Sequence, residues 1–138
     1  MIFVNNSFEI WLKFAETFKM QAIEISTTKV VMPKDLNSNS SLFGGQLLKW
    51  MDEQAYICAK KCCSQNVVTV RISKVDFKTS AKNGDIINII SKLIKIKGAS
   101  LELKVEASLI LNENKVEIAN AEFLMAAIDE DGKPKRLV

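Results

Sequence analysis

The stretch Asn37–Glu53, N-S-N-S-S-L-F-G-G-Q-L-L-K-W-M-D-E, decides the fold of this chain. A polar loop containing Asn37 and Asn39 runs into Phe43 and the pair Gly44–Gly45, and an amphipathic pattern starts at once. At 100° per residue, Leu47, Trp50, Met51, Gln54, Ala55, Cys58 and Cys62 fall on one broad face. Leu48 and Ala59 widen it on one side and Ile57 on the other. An arc this wide predicts a helix over residues 43–63 that is buried on most sides. Lys49, Tyr56 and Lys60 take the remaining face. Asp52 falls at one border of the apolar arc and Glu53 at the other, four residues after Lys49 and placed for an ion pair with it. Bare glycine amides at a helix start suit a developing oxyanion. A carboxylate nearby suits activation of water.

Outward from this helix the period changes from 3.6 to two. Residues 22–31 alternate and are β-branched, which predicts a strand ended by Pro33. Residues 67–78 form a long second strand whose alternation shifts near Ser73–Lys74, predicting a bulge or bend. A turn at Lys82-Asn83-Gly84-Asp85 leads into 86–97, and Gly98-Ala99-Ser100 turns again. Residues 101–111 put Leu101, Leu103, Val105, Ala107, Leu109 and Leu111 on one side and Glu102, Lys104, Glu106 and Ser108 on the other, giving a strand with one buried face. After Asn112–Asn114 the last strand runs over 116–128. Strand, helix, then four strands joined by tight turns predict an α+β domain, with five antiparallel strands wrapped around one helix. Residues 1–19 stand apart: Phe8, Trp11, Leu12, Ala15 and Phe18 have helical spacing, and Met20 is a plausible alternative start.

Composition bounds the chemistry. A chain of 138 residues makes one domain with a real core. Its 48% apolar and 25% charged residues are those of a soluble globular protein. A net charge of +3, without a dense basic run interleaved with aromatics, argues against nucleic acid as a partner. No apolar run approaches the roughly 20 residues of a membrane span, and no signal peptide is recognisable. Cys58, Cys62 and Cys63 all fall in the predicted helix, which argues against a disulfide framework and for a reducing compartment. The chain reads as cytoplasmic. Histidine is absent, so any chemistry runs on carboxylates, amides and hydroxyls, and a Ser-His-Asp triad is excluded. No metal site is expected.

The element order and the helix-opening motif resemble the hot-dog fold, and more narrowly the bacterial acyl-CoA hydrolases. The likeness is carried by Pro33, Asp35 and Asn37, by Leu42-Phe43-Gly44-Gly45, by Leu47-Leu48 and by Trp50-Met51-Asp52-Glu53. Val67-Val68-Thr69-Val70, Asp76-Phe77-Lys78 with Gly84-Asp85, Gly98 with Ser100, and Asp131-Gly132-Lys133-Pro134 continue it, so that it covers roughly residues 22 to 138. The chain departs from the pattern in three places. Many members carry a glycine and then a catalytic Asp or Asn where this chain has Ser40 and Ser41, and a proline where it has Ser80. Serine is no general base at neutral pH; it orients water or donates a hydrogen bond. Related hot-dog thioesterases hold an acidic residue in the central helix, seven positions after the second glycine, and that position is Asp52.

The resemblance implies a thioester hydrolase acting on fatty acyl-CoA, with coenzyme A entering only as part of the substrate and no separate cofactor. Asp52 is then the catalytic carboxylate, Asn37 and Ser41 position water or substrate, and Gly45 with Gly44 receives the thioester oxygen. Phe43, Trp50, Thr69, Gly98 and Ser100 fall in the substrate-binding set. Arg71, Lys133, Lys135 and Arg136 are the candidates for the phosphates of coenzyme A. In such proteins the site is shared between subunits, implying a homo-oligomer: a dimer, a tetramer or a trimer of dimers. The competing reading is a hot-dog domain that binds an acyl-CoA or acyl-carrier ligand without cleaving it.

Overall fold

A computed structural model describes residues 23–138. The helix expected in residues 1–19 lies outside the described residues. The elements are β1 (Glu24–Val30), a short 3-10 turn at Pro33–Asp35, α1 (Gly44–Cys63), β2 (Asn66–Phe77), β3 (Ile86–Lys97), β4 (Ser100–Leu111) and β5 (Asn114–Ile128). One five-stranded sheet, ordered β1-β3-β4-β5-β2 and antiparallel throughout, curls around α1. This is the hot-dog architecture. α1 is 20 residues long, which makes it about 30 Å from end to end.

The core forms where the wide helix face meets the inward residues of the strands. Met51, Ala55, Cys58 and Ala59 are fully buried, with Ile87, Ile89, Leu101, Val105, Ile118, Phe123 and Met125 from the sheet. Small residues on both sides (Ala55 and Ala59 against Ala107, Ala119 and Ala121) belong to the same core. Ile57 differs from expectation: it is 43% exposed, because the arc that the helix buries ends at Trp50 on that side. Cys58 and Cys62 are buried and unpaired, and Cys63 is half-buried. The hydrogen bond that Cys62 gives to Cys58, together with burial, pushes the Cys62 thiol up. The same contact pulls the Cys58 thiol down to about 7, but Cys58 is fully buried with its Sγ 3.9 Å from Ser91 O, so the pair packs the core rather than meeting solvent. At the helix end Ser64 takes a left-handed conformation (φ 54°) and gives its N–H to Lys60 O at 2.8 Å.

The strand order corrects the expectation of four successive neighbours. β2 does not pair with β3; it pairs with β5 and stands at the far edge of the sheet. Residues 78–85 are therefore a crossover from one edge to the other, not a hairpin. They pass the start of α1, where Leu42 N–H donates to Ala81 O at 2.8 Å, and reach β1, where Val31 N–H donates to Asp85 O at 2.9 Å. The bulge expected near Ser73–Lys74 is present: Lys74 has φ 51° and the register shifts between Ser73 and Asp76. A second shift, between Thr69 and Arg71, leaves Val70 without a partner. The extra residue reverses the alternation, as bulges do. Thr69 pairs with fully buried Met125 on the helix side, whereas Arg71 pairs with Leu124 on the outer side.

Candidate active site

Three groups of residues can be built from the local structure. The first is the loop before α1. Asn37 N–H donates to Ser41 O at 2.7 Å, and Ser40 N–H returns to Asn37 O at 3.0 Å. The Asn37 side-chain oxygen accepts the N–H groups of Asn39 (2.8 Å) and Ser41 (3.2 Å). This is an Asx turn, and it fixes the amide: Oδ1 is occupied inside the loop, and the NH₂ group donates no hydrogen bond among the described residues. Ser40 has φ 59°, so the position where relatives carry glycine keeps the conformation glycine favours. Asp35 anchors the loop from below. It is 4% exposed, accepts Met32 N–H at 2.9 Å and Gln46 Nε2–H at 3.0 Å, and its backbone oxygen accepts Phe43 N–H at 3.0 Å.

The second group is the helix start itself. Phe43 occupies the N-cap position without a side-chain cap, and no acidic residue stands in the first turn. The first N–H groups of α1 are thus left for an outside acceptor. A Cβ added at Gly44 would lie 3.3 Å from the exposed Phe77 ring, close enough that the ring would have to shift slightly. A Cβ at Gly45 would meet nothing within 4 Å, which leaves that peptide open to a ligand. Phe43 is half exposed beside it. A cleft of about 270 Å³ adjoins this end, lined by Leu42, Gly44, Leu47, Phe77, Ser80 and Ile118.

The third group lies two turns further on. Thr69 Oγ1 donates to Asp52 Oδ1 at 2.6 Å, a short charge-assisted bond from the β2 edge to the helix. Asp52 is half-buried, and its Oδ2 receives no hydrogen bond from the described residues. Glu53 instead stands 4.0 Å from Lys49 in an exposed i,i+4 pair. The wheel reading of the two carboxylates therefore holds in three dimensions.

Other candidates fall elsewhere. Trp50 is only 8% exposed and belongs to the core of its own chain, so it lines no open pocket there. Arg71 is on the outer face of the sheet with Glu102, Lys104 and Glu122, because of the Val70 bulge. Gly98 (φ 60°) and Ser100 form the β3–β4 hairpin, where Gly98 O accepts Leu137 N–H at 2.8 Å. Lys133, Lys135 and Arg136 are exposed on the C-terminal segment at that same end, which Lys135 N–H ties to Ala127 O. These residues sit with the C-terminus of α1, about 30 Å from Gly44, and do not meet Asn37 or Ser41 within one chain. Two residues to which the sequence assigned no part in the site join the first group: Asp35, and Lys82, whose Nζ donates to Ser41 Oγ at 2.8 Å. Asp35 reaches Gln46 across a closed loop and Lys82 arrives on the crossover, so neither leaves a local spacing signal.

The family model of the thioesterase superfamily matches residues 39–109. The chain belongs to that superfamily. Acyl-CoA thioester hydrolase YciA of Salmonella typhimurium is 30% identical over 119 residues, which is 83% of this chain and 90% of that protein. The acyl-CoA hydrolase of Staphylococcus aureus, solved with butyryl coenzyme A, coenzyme A and coenzyme A disulfide, superposes with a TM-score of 0.79 at 30% identity, covering 83% of this chain and 71% of that one. A hexameric thioesterase of Yersinia pestis gives a TM-score of 0.77 at 30% identity, covering 81% and 93%. The Staphylococcus enzyme has also been solved as alanine variants of an asparagine, an aspartate and a threonine, in that chain order at separations of 15 and 17 residues. Asn37, Asp52 and Thr69 stand in this thioesterase at the same two separations. Among the described residues no cluster of three or more Cys, Asp or Glu side chains is placed to hold a metal ion. No helix among them is long and apolar enough to cross a membrane.

Proposed function

We propose that this chain hydrolyses acyl-CoA thioesters to a free acid and coenzyme A, with Asp52 as general base. The observation that carries the assignment is the Thr69–Asp52 hydrogen bond. It orients one carboxylate oxygen and leaves the other for a water molecule. Oδ2 of Asp52 takes a proton from that water as its oxygen attacks the thioester carbon. Negative charge forms on the carbonyl oxygen, which accepts the free N–H groups at Gly44–Gly45. Collapse of this intermediate breaks the carbon–sulfur bond. The coenzyme A thiolate leaves and recovers the proton from Asp52. The NH₂ of Asn37 holds the water or the thioester in line.

The two halves of this machinery come from different subunits. Gly45 and Asp52 of one chain are seven residues apart, about 10 Å of helix rise. Each therefore addresses a different point along the groove between α1 and β2. β2 is a 12-residue edge strand with Val68 and Val70 exposed, and Tyr56 is exposed one turn beyond Asp52. An open apolar edge of that length calls for a partner. A two-fold dimer through β2 supplies one and brings the loop of one subunit toward Asp52 of the other. The dimers assemble further into a hexamer, as the Yersinia relative does. The same pairing offers Arg71 or the C-terminal lysines to a coenzyme A held mainly by a neighbouring subunit.

The function is tested by thiol release from a panel of acyl-CoA substrates, butyryl-CoA among them. Hydrolysis is the expected result. Tight binding of acyl-CoA with no thiol released would instead establish a binding domain. Thr69→Ala removes a hydrogen bond to a charged group, worth about 1.5–3 kcal/mol. We expect it to lower kcat roughly 10- to 100-fold while the protein remains folded, read in the same assay.

A further inference from the structure

We propose that Lys82 contacts the substrate and stabilises the negative charge that forms on the thioester oxygen. The inference rests on the thioesterase reading and assigns the site a residue which that reading does not use. Lys82 lies on the crossover beside the helix start, where the Leu42–Ala81 hydrogen bond joins the crossover to the Asn37–Ser41 loop. Its ammonium donates to Ser41 Oγ at 2.8 Å. Among the described residues no carboxylate stands within 4 Å of that ammonium. Asp85 is the nearest acid in sequence, and its Oδ2 is taken up by the Lys82 backbone N–H at 2.7 Å. Lys78, the next cation along the crossover, is already paired with Glu117 at 3.0 Å.

The hydroxyl at position 41 is what leaves the Lys82 ammonium without a counter-charge. A carboxylate there, as in the family pattern, would form an ion pair and cancel the cation. Serine orients the ammonium without neutralising it. The site has thus exchanged a loop carboxylate for a loop cation, while Asp52 keeps the role of base. A cation held on the loop that leads into the helix start adds to the helix-start amides where charge develops in the transition state and does little for the neutral ground state.

The test uses Lys82→Met, Lys82→Arg and Ser41→Asp in the full chain, assayed on butyryl-CoA and on an acyl-CoA whose acyl group ends in a carboxylate. Lys82→Met is expected to lower kcat on butyryl-CoA about 10- to 100-fold with KM changed less than about three-fold. Lys82→Arg should keep most of the rate. Ser41→Asp should also lower kcat, and should add little on top of Lys82→Met, because both remove the same charge. The proposal is overturned if Lys82→Met is as active as the wild type, if its loss is confined to the carboxylate-bearing substrate, or if Ser41→Asp raises the rate. A wild-type protein inactive on every acyl-CoA would overturn the thioesterase reading, and this inference with it.

Discussion

Asp52→Asn is expected to lower kcat for acyl-CoA hydrolysis by about 10²–10⁴-fold, the contribution of a positioned general base. The substitution is close to isosteric, and Thr69 still has an amide oxygen to donate to, although the bond loses its charge assistance. Helix, core and oligomer should therefore be untouched, and circular dichroism and size-exclusion elution should match the wild type. Only the capacity to take a proton from water is removed. KM should move little, because the proposed mechanism holds the substrate carbonyl on the amides at Gly44–Gly45 and not on Asp52. Retention of most of the activity would remove Asp52 from the mechanism. Glu53 does not compensate, since it faces solvent beside Lys49 on the opposite border of the helix.

The second large effect is expected at Asn37. Asn37→Ala deletes the acceptor that holds the N–H groups of Asn39 and Ser41, and the NH₂ proposed to hold the water or the thioester. The loop keeps its backbone closure between Asn37 and Ser41 and its bridge between Leu36 and Leu42, so the fold survives. Ser41, and through it Lys82, loses its fixed position. A displacement of about 1 Å in a positioning group costs on the order of 10²-fold in rate, and we expect a fall of that size in kcat/KM, measured by thiol release. A variant with nearly normal kinetics would make Asn37 a turn residue only.

Much of this was legible in the sequence because burial imposes a period. The wide arc from Leu47 to Cys62 required a helix enclosed by a sheet, and its border separated Asp52 from Glu53. The alternation from Leu101 to Leu109 required a strand with one buried face. Strand order was less legible: residues 78–85 have turn chemistry at Gly84, yet their length permits a crossover, and only tertiary pairing decides which edge β2 joins. One unpaired residue, Val70, was enough to send Arg71 outward while Thr69 turned in. Sequence placed both on the strand but could not phase them. The contacts of Lys82 with Ser41 and of Asp35 with Gln46 join distant segments through side chains alone, with no periodic signature. The expected phosphate contacts at Lys133, Lys135 and Arg136 stand the length of α1 away from Asn37 within one chain, a separation that no local spacing shows.

The shared site is tested most directly by pairing two inactive variants. Asn37→Ala and Asp52→Asn chains are co-expressed with different tags, and the mixed oligomers are isolated and assayed for thiol release from butyryl-CoA. If the loop and the carboxylate come from different subunits, each mixed dimer holds one site with both residues intact. A randomly mixed preparation then recovers roughly a quarter of wild-type activity. If both residues act within one chain, every site in the mixture lacks one of them, and activity no higher than that of the parent variants would contradict the account.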